Sequence, residues 1–149
     1  MQQEKNPMML INDICKEFHD QMRRMMDNAG IPIGYRAMLF HLAHDDGCSQ
    51  FELSQKSHLT PPTVSVTLQK MERDGYIERR TDEKDLRLTR VYLTERGAQI
   101  ERENRVFADQ ISTTALSEFT SEEQQMLCAL LARLSRNLSG TADGKPHKS

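Results

Sequence analysis

A chain of 149 residues is long enough for one domain with a real core, and the lack of any run of about 18 apolar residues excludes a membrane-spanning helix. The formal net charge of −2 does not advertise a polyanion binder, yet residues 56–96 hold nine Lys or Arg against seven Asp or Glu, so the basic excess is local. Three separated cysteines, Cys15, Cys48 and Cys128, make no C-x-x-C pair, which excludes a zinc knuckle or dithiol motif and fits reduced thiols.

The opening MQQEKNPMML has no basic region followed by a long apolar run, so no signal peptide is expected and a cytoplasmic location is the default. A first helix is predicted over residues 8–28, where Ile11, Ile14, Cys15, Phe18, Met22, Met25 and Met26 recur at helical spacing. Gly30 and Pro32 break it. A second helix over 34–45 buries Tyr35, Met38, Leu39 and Leu42, and Asp46-Gly47 makes a turn. Ser49 and Glu52 form a capping box that opens a short helix, 50–57. His58 and Leu59 then turn the chain into the next helix, and two helices joined so tightly are a helix-turn-helix.

That next helix has Thr60 as N-cap, Pro61 at its first position and Gly75 as a left-handed stop. Val64, Leu68 and Met71 form its inward stripe. The outward face carries Pro62, Val66, Gln69, Lys70 and Arg73, flanked by Thr63, Ser65 and Thr67. Small hydroxyls at the front allow close approach to base edges, while Lys70 and Arg73 reach phosphates. Val66 and Pro62, apolar yet outward, suit a thymine methyl. Two strands follow, 76–80 and 87–93, around the polar loop TDEKDL. Arg79 and Arg80 are candidates for phosphates and Arg87 for a minor groove. Asp85, out of place beside a polyanion, is read as holding Arg87 or the loop by hydrogen bonds. After Thr94, a helix to about residue 116 turns Ile100, Phe107 and Ile111 inward. A second capping box, Thr120 with Glu123, opens a last helix to about 138 with Leu127, Leu130, Leu131, Leu134 and Leu138 as its apolar set. Residues 139–149 are polar and expected to be disordered.

The expected fold is therefore mainly α with a small β-wing: one domain over 1–149, made of a winged helix-turn-helix lobe (33–94) and helices (8–28 and 95–138) whose broad Leu and Met stripes are read as a dimer interface. Here the residues carry a resemblance. The run Asp85-Leu86-Arg87, then V-Y-L-T-E-R-G over 91–97, and QFELSQKSHLTPPTVSVTLQKMERDGYIERR resemble the wing and helix-turn-helix of the MarR family of bacterial regulators. The likeness extends from about residue 33 to 138. It implies a homodimeric transcription factor on double-stranded DNA, usually a repressor, often released by a small molecule or an oxidant. It maps the family's wing Asp and Arg onto Asp85 and Arg87, and its recognition contacts onto 62–67. Many members carry a basic residue where this chain has Val66.

For what might be sensed, Cys15, Phe18, Met22, Tyr35 and Met38 are the candidate walls of a pocket for a drug-like or aromatic molecule. The plainer reading of the Met stripe is core. Cys15 matches the helix where some relatives keep an oxidant-sensing thiol, but it lacks their surrounding tyrosines and is expected to be buried and inert. His41 and His44 are spaced to share a metal, yet the helix after the wing adds no histidine, so no metal is expected. No cofactor motif or catalytic constellation is present. Cys15 with His19 is the only nucleophile–base pair, so an enzyme is not expected. A winged helix used only to bind protein is the alternative from another class.

Overall fold

The computed structural model describes residues 6–142. Eight elements follow in order: α1 (Pro7–Asn28), α2 (Tyr35–His44), α3 (Gln50–Ser57), α4 (Pro61–Arg73), β1 (Ile77–Thr81), β2 (Thr89–Leu93), α5 (Glu95–Ala115) and α6 (Ser121–Ala142). One compact unit extends to Asp109 and a second begins at Gln110. Helix α6 continues past the expected end at Leu138 to Ala142, so the tail expected to be disordered is helical over 139–142; residues 143–149 lie outside the described residues. No described helix is long and apolar enough to cross a membrane.

Local chemistry sets most boundaries. Asn6 accepts the Met8 amide at 2.8 Å and Pro7 takes the first position of α1. The Ser49–Glu52 box is closed in both directions, at 3.0 and 3.1 Å. Thr60 accepts from the Thr63 amide, with Pro61 next. Gly75 stands at φ +84°, where an L side chain is strained, and lets the Tyr76 amide reach back to the Met71 carbonyl at 2.9 Å. Between α3 and α4, His58 supplies the left-handed step, φ 56°, without a glycine.

The core lies in the first unit. Met26, Tyr35, Met38, Leu39, Leu42, Leu53, Val64, Leu68, Met71, Ile77 and Val91 pack together. Each fully buried aliphatic among them contributes about 1.5–3 kcal/mol. Strands β1 and β2 are antiparallel, with Ile77 opposite Leu93 and Arg79 opposite Val91. A third edge is added by the segment read as a simple turn. Gly47 donates to the Val91 carbonyl at 2.8 Å, Val91 donates to the Cys48 carbonyl at 3.0 Å, and Ser49 bridges Arg90. The wing is thereby stitched to the start of α3.

Candidate nucleic-acid interface

Helix α4 is the candidate reading element. Val64, Leu68 and Met71 are fully buried, which turns Pro62, Thr63, Val66, Gln69, Lys70 and Arg73 to solvent; Ser65 and Thr67 flank them, half-buried. Val66 keeps half its surface exposed, an apolar patch suited to a methyl group rather than to a phosphate. The threonine hydroxyls are already engaged: Thr63 with Thr60 at 2.8 Å, and Thr67 donating to the Thr63 carbonyl at 2.8 Å. The Thr67 hydroxyl hydrogen is thereby spent within the helix, while its oxygen can still accept from a base donor. Arg73 pairs with Asp74 at 3.4 Å but remains well exposed.

The loop between the strands is built by two aspartates. Asp82 accepts the Lys84 and Asp85 amides, each at 2.8 Å, and pairs with the Arg90 guanidinium. Arg90 also donates to the Gly47 carbonyl at 3.1 Å. That arginine, with the two amides, holds the Asp82 carboxyl down at about 2. Asp85 takes the next role. Its Oδ1 accepts from the Arg87 amide at 3.1 Å and from Nε at 3.0 Å, and its Oδ2 accepts from Nη2 at 3.1 Å. The Arg87 side chain nevertheless stays 89% exposed. An arginine held at its base yet free at its face is aimed before any ligand arrives. A shallow groove lined by Gln50, Phe51, Pro61, Arg87 and Thr89 places this cation beside the starts of α3 and α4.

The two arginines of β1 differ from each other. Arg80 is exposed, bonded to Glu78 at 2.7 Å and lying 4.6 Å over the Tyr92 ring, so it stays available to an anion. Arg79, expected to meet phosphate, is half-buried and committed to Glu72. Its Nε and Nη2 donate to Oε1 at 3.3 and 3.1 Å, and its amide donates to Oε2 at 2.9 Å. These bonds hold the Glu72 carboxyl below its usual range. Seven residues separate the pair, and no local pattern announces it. Tyr35 with Asp74 (2.7 Å), and Arg96, which lies over the Tyr76 ring at 4.7 Å and donates to the Asp74 carbonyl, went equally unseen.

None of the residues expected to wall an effector pocket lines either the groove beside Arg87 or the cleft between α2 and α5. Met22 and Met38 are fully buried, Met38 within the packed core. Tyr35 is buried, its hydroxyl spent on Asp74, and burial with that bond pushes its phenol up to about 12. Phe18 sits under the Arg36 guanidinium at 5.2 Å. Cys15, expected to be buried, is exposed on α1, and the buried thiol is Cys48, whose pKa burial raises. The larger cleft, about 290 Å³, lies instead between α2 and α5 and is lined by none of those five.

Comparison with known proteins agrees with this geometry. A family model described as MarR family matches residues 29–88. The chain is 29% identical over 130 residues to the HTH-type transcriptional repressor YetL of Bacillus subtilis (strain 168), covering 85% of this chain and 77% of that one. A MarR transcriptional regulator from Methanosarcina mazei Go1 is 26% identical, with a TM-score of 0.76 over 87% of this chain and 94% of the other. The Staphylococcus aureus MepR–DNA complex gives a TM-score of 0.80 at 24% identity, over 90% and 99% of the two chains, a likeness of fold.

Proposed function

We propose that this chain is a member of the MarR family, whose model matches residues 29–88, and that it acts as a homodimeric repressor that reads a pseudo-palindromic site in double-stranded DNA and leaves it when a small molecule binds. The family is one of transcriptional regulators rather than enzymes. The observation that carries the reading is Arg87: exposed, pre-aimed by Asp85 and close to the start of a helix whose outer face is free. The α4 residues Pro62, Thr63, Ser65, Val66, Thr67, Lys70 and Arg73 take base edges and adjoining phosphates. Arg87 takes a minor groove, Arg80 takes backbone, and Asp85 and Arg79 hold the others in place. MepR, of like fold, has been seen with DNA, and YetL bears the name of a repressor.

The homodimer is supported by the chain ends. Helix α6 buries no residue in the single chain, and Met126, Leu130, Leu131 and Leu138 stand exposed, as do Met8, Met9, Leu10 and Ile14 on α1. So many large apolar groups on two helices call for a partner. Two copies about a twofold axis set their recognition helices roughly 34 Å apart, one turn of DNA. The experiment is selection of bound duplexes from a random pool, followed by gel shift against the consensus at rising salt. A twofold-symmetric consensus bound with nanomolar affinity, falling steeply with salt, is expected. Equal affinity for random duplex overturns sequence-specific reading.

A further inference from the structure

The turn from α2 into α3 brings a thiol and two carboxylates together. Asp45 closes α2, Cys48 follows the Asp46-Gly47 turn, and Glu52 stands in the first turn of α3. One oxygen of each carboxylate and the Cys48 Sγ all lie within 4.8 Å of one another. The thiol is 2% exposed and bonds to no other side chain among the described residues. Both carboxylates are exposed, and each is only half engaged. Glu52 accepts the Ser49 amide through Oε2 at 3.0 Å, and Asp45 holds the Lys56 ammonium through Oδ2. The group includes neither His41 nor His44, the pair whose spacing could share a metal.

We infer that Asp45, Cys48 and Glu52 bind one thiophilic divalent cation, of which zinc is the best fit, and that the ion pins the root of the wing. A thiolate with two carboxylate oxygens is a three-ligand set that suits zinc and leaves one place for water. Calcium and magnesium call for oxygen ligands in greater number. Zinc bonds of about 2.3 Å to sulfur and 2.0–2.2 Å to oxygen, set in a tetrahedron, hold ligand atoms roughly 3.5 Å apart. The present spacing, within 4.8 Å, leaves about 1 Å to close to reach that geometry. The two exposed carboxylates supply it by rotating while the buried Cys48 stays in place. As the metal–sulfur bond forms, the Sγ proton passes to solvent. Three anionic ligands, a divalent ion and the Lys56 ammonium then sum to zero charge. Lys56 already shows that these carboxylates draw a cation, and a surface ion pair of its kind shifts at little cost. The wing is involved through the backbone of the turn. The Cys48 carbonyl accepts the Val91 amide at 3.0 Å, and Gly47 donates to the Val91 carbonyl at 2.8 Å.

The test uses the full chain carrying Cys15→Ser and Cys128→Ser, so that Cys48 is its one thiol, and titrates cobalt(II) by absorbance. Expected are saturation at one cobalt per chain and a thiolate-to-metal charge-transfer band in the near ultraviolet, which zinc abolishes by displacing the cobalt. Asp45→Asn and Glu52→Gln, made in that chain, are each expected to weaken cobalt binding at least tenfold. Glutamine still serves the α3 capping box, and thermal melts establish that both variants fold. No charge-transfer band up to millimolar cobalt, or unchanged binding by both folded variants, overturns the site. Hydrogen exchange reads the pinning. Zinc is expected to slow exchange of the Val91 amide at least threefold in the parent and not in Asp45→Asn. Zinc that binds as described but leaves that amide unchanged upholds the site and overturns its hold on the wing.

Discussion

Arg87 and Asp85 make a pair whose two members have opposite charges and the same purpose. Replacing Arg87 with Ala is expected to weaken specific DNA binding by about 1–3 kcal/mol, roughly 5- to 150-fold, and to shallow the salt dependence. Asp85→Ala separates aiming from simple charge. Removing a carboxylate beside a polyanion ought to tighten binding if only charge counted. Because Asp85 makes three hydrogen bonds to Arg87, the expected result of fluorescence-anisotropy titration is weaker binding instead, and tighter binding sinks the aiming role. Asp82 gives a pH signature. Its carboxyl sits at about 2, below the roughly 3.9 of an unfolded chain. The stability it contributes is therefore complete above about pH 4 and is lost as pH falls toward 2. Thermal melts of Asp82→Asn should decline less steeply across that window than those of the parent, and parallel curves would remove Asp82 from the account. At this scale the sequence was legible where a residue acts on its near neighbours, as Asp85 does. It was silent where partners lie far apart, as with Tyr35 and Asp74 or Arg90 and the Gly47 carbonyl.

Helix ends were the most readable part of the elements, because caps are local. Thr60, Pro61, Gly75 and both capping boxes act within a turn of themselves, and the structure uses each as read. The third edge of the wing was hidden because residues 47–49 carry no strand pattern; their backbone alone joins β2. Helix α5 was misjudged in part for a related reason. Its apolar spacing pointed to Ile100, Phe107 and Ile111, but the buried positions are Gly97, Glu101 and Asn104, with those three only partly covered. Gly97 explains why the start of α5 tolerates no side chain. A Cβ there would stand 2.0 Å from the Tyr76 carbonyl oxygen, a backbone atom that cannot swing away. Thr94 fixes the same junction, donating to the Gly75 carbonyl at 2.7 Å and accepting from the Gly97 amide at 3.1 Å. Gly97→Ala is expected to destabilise by about 1–3 kcal/mol in urea unfolding, and a neutral result would show that α5 lifts without cost.

For the whole molecule, fold class was the easiest inference, since order of elements and spacing of stripes both report on it. The DNA-reading candidates were found by the same stripe, whose inward side is buried and whose outward side is free. For the effector residues the stripe is no guide, because methionines look alike in sequence whether they line a hollow or fill one; Met22 and Met38 are both fully buried. Sedimentation of the parent is expected to give a dimer. Leu130→Glu combined with Leu131→Glu should yield a monomer whose DNA affinity falls roughly 100-fold or more as bivalency is lost. A double variant that still sediments as a dimer would place the interface elsewhere. One earlier contact bears on how such a molecule is switched. Glu72, near the end of α4, grips both the amide and the side chain of Arg79 in β1. Helix and ribbon are thus braced like two blades on one handle. If the proposed release holds, a ligand would have no need to disturb either cutting edge: a small tilt of the handle would withdraw both from the duplex together.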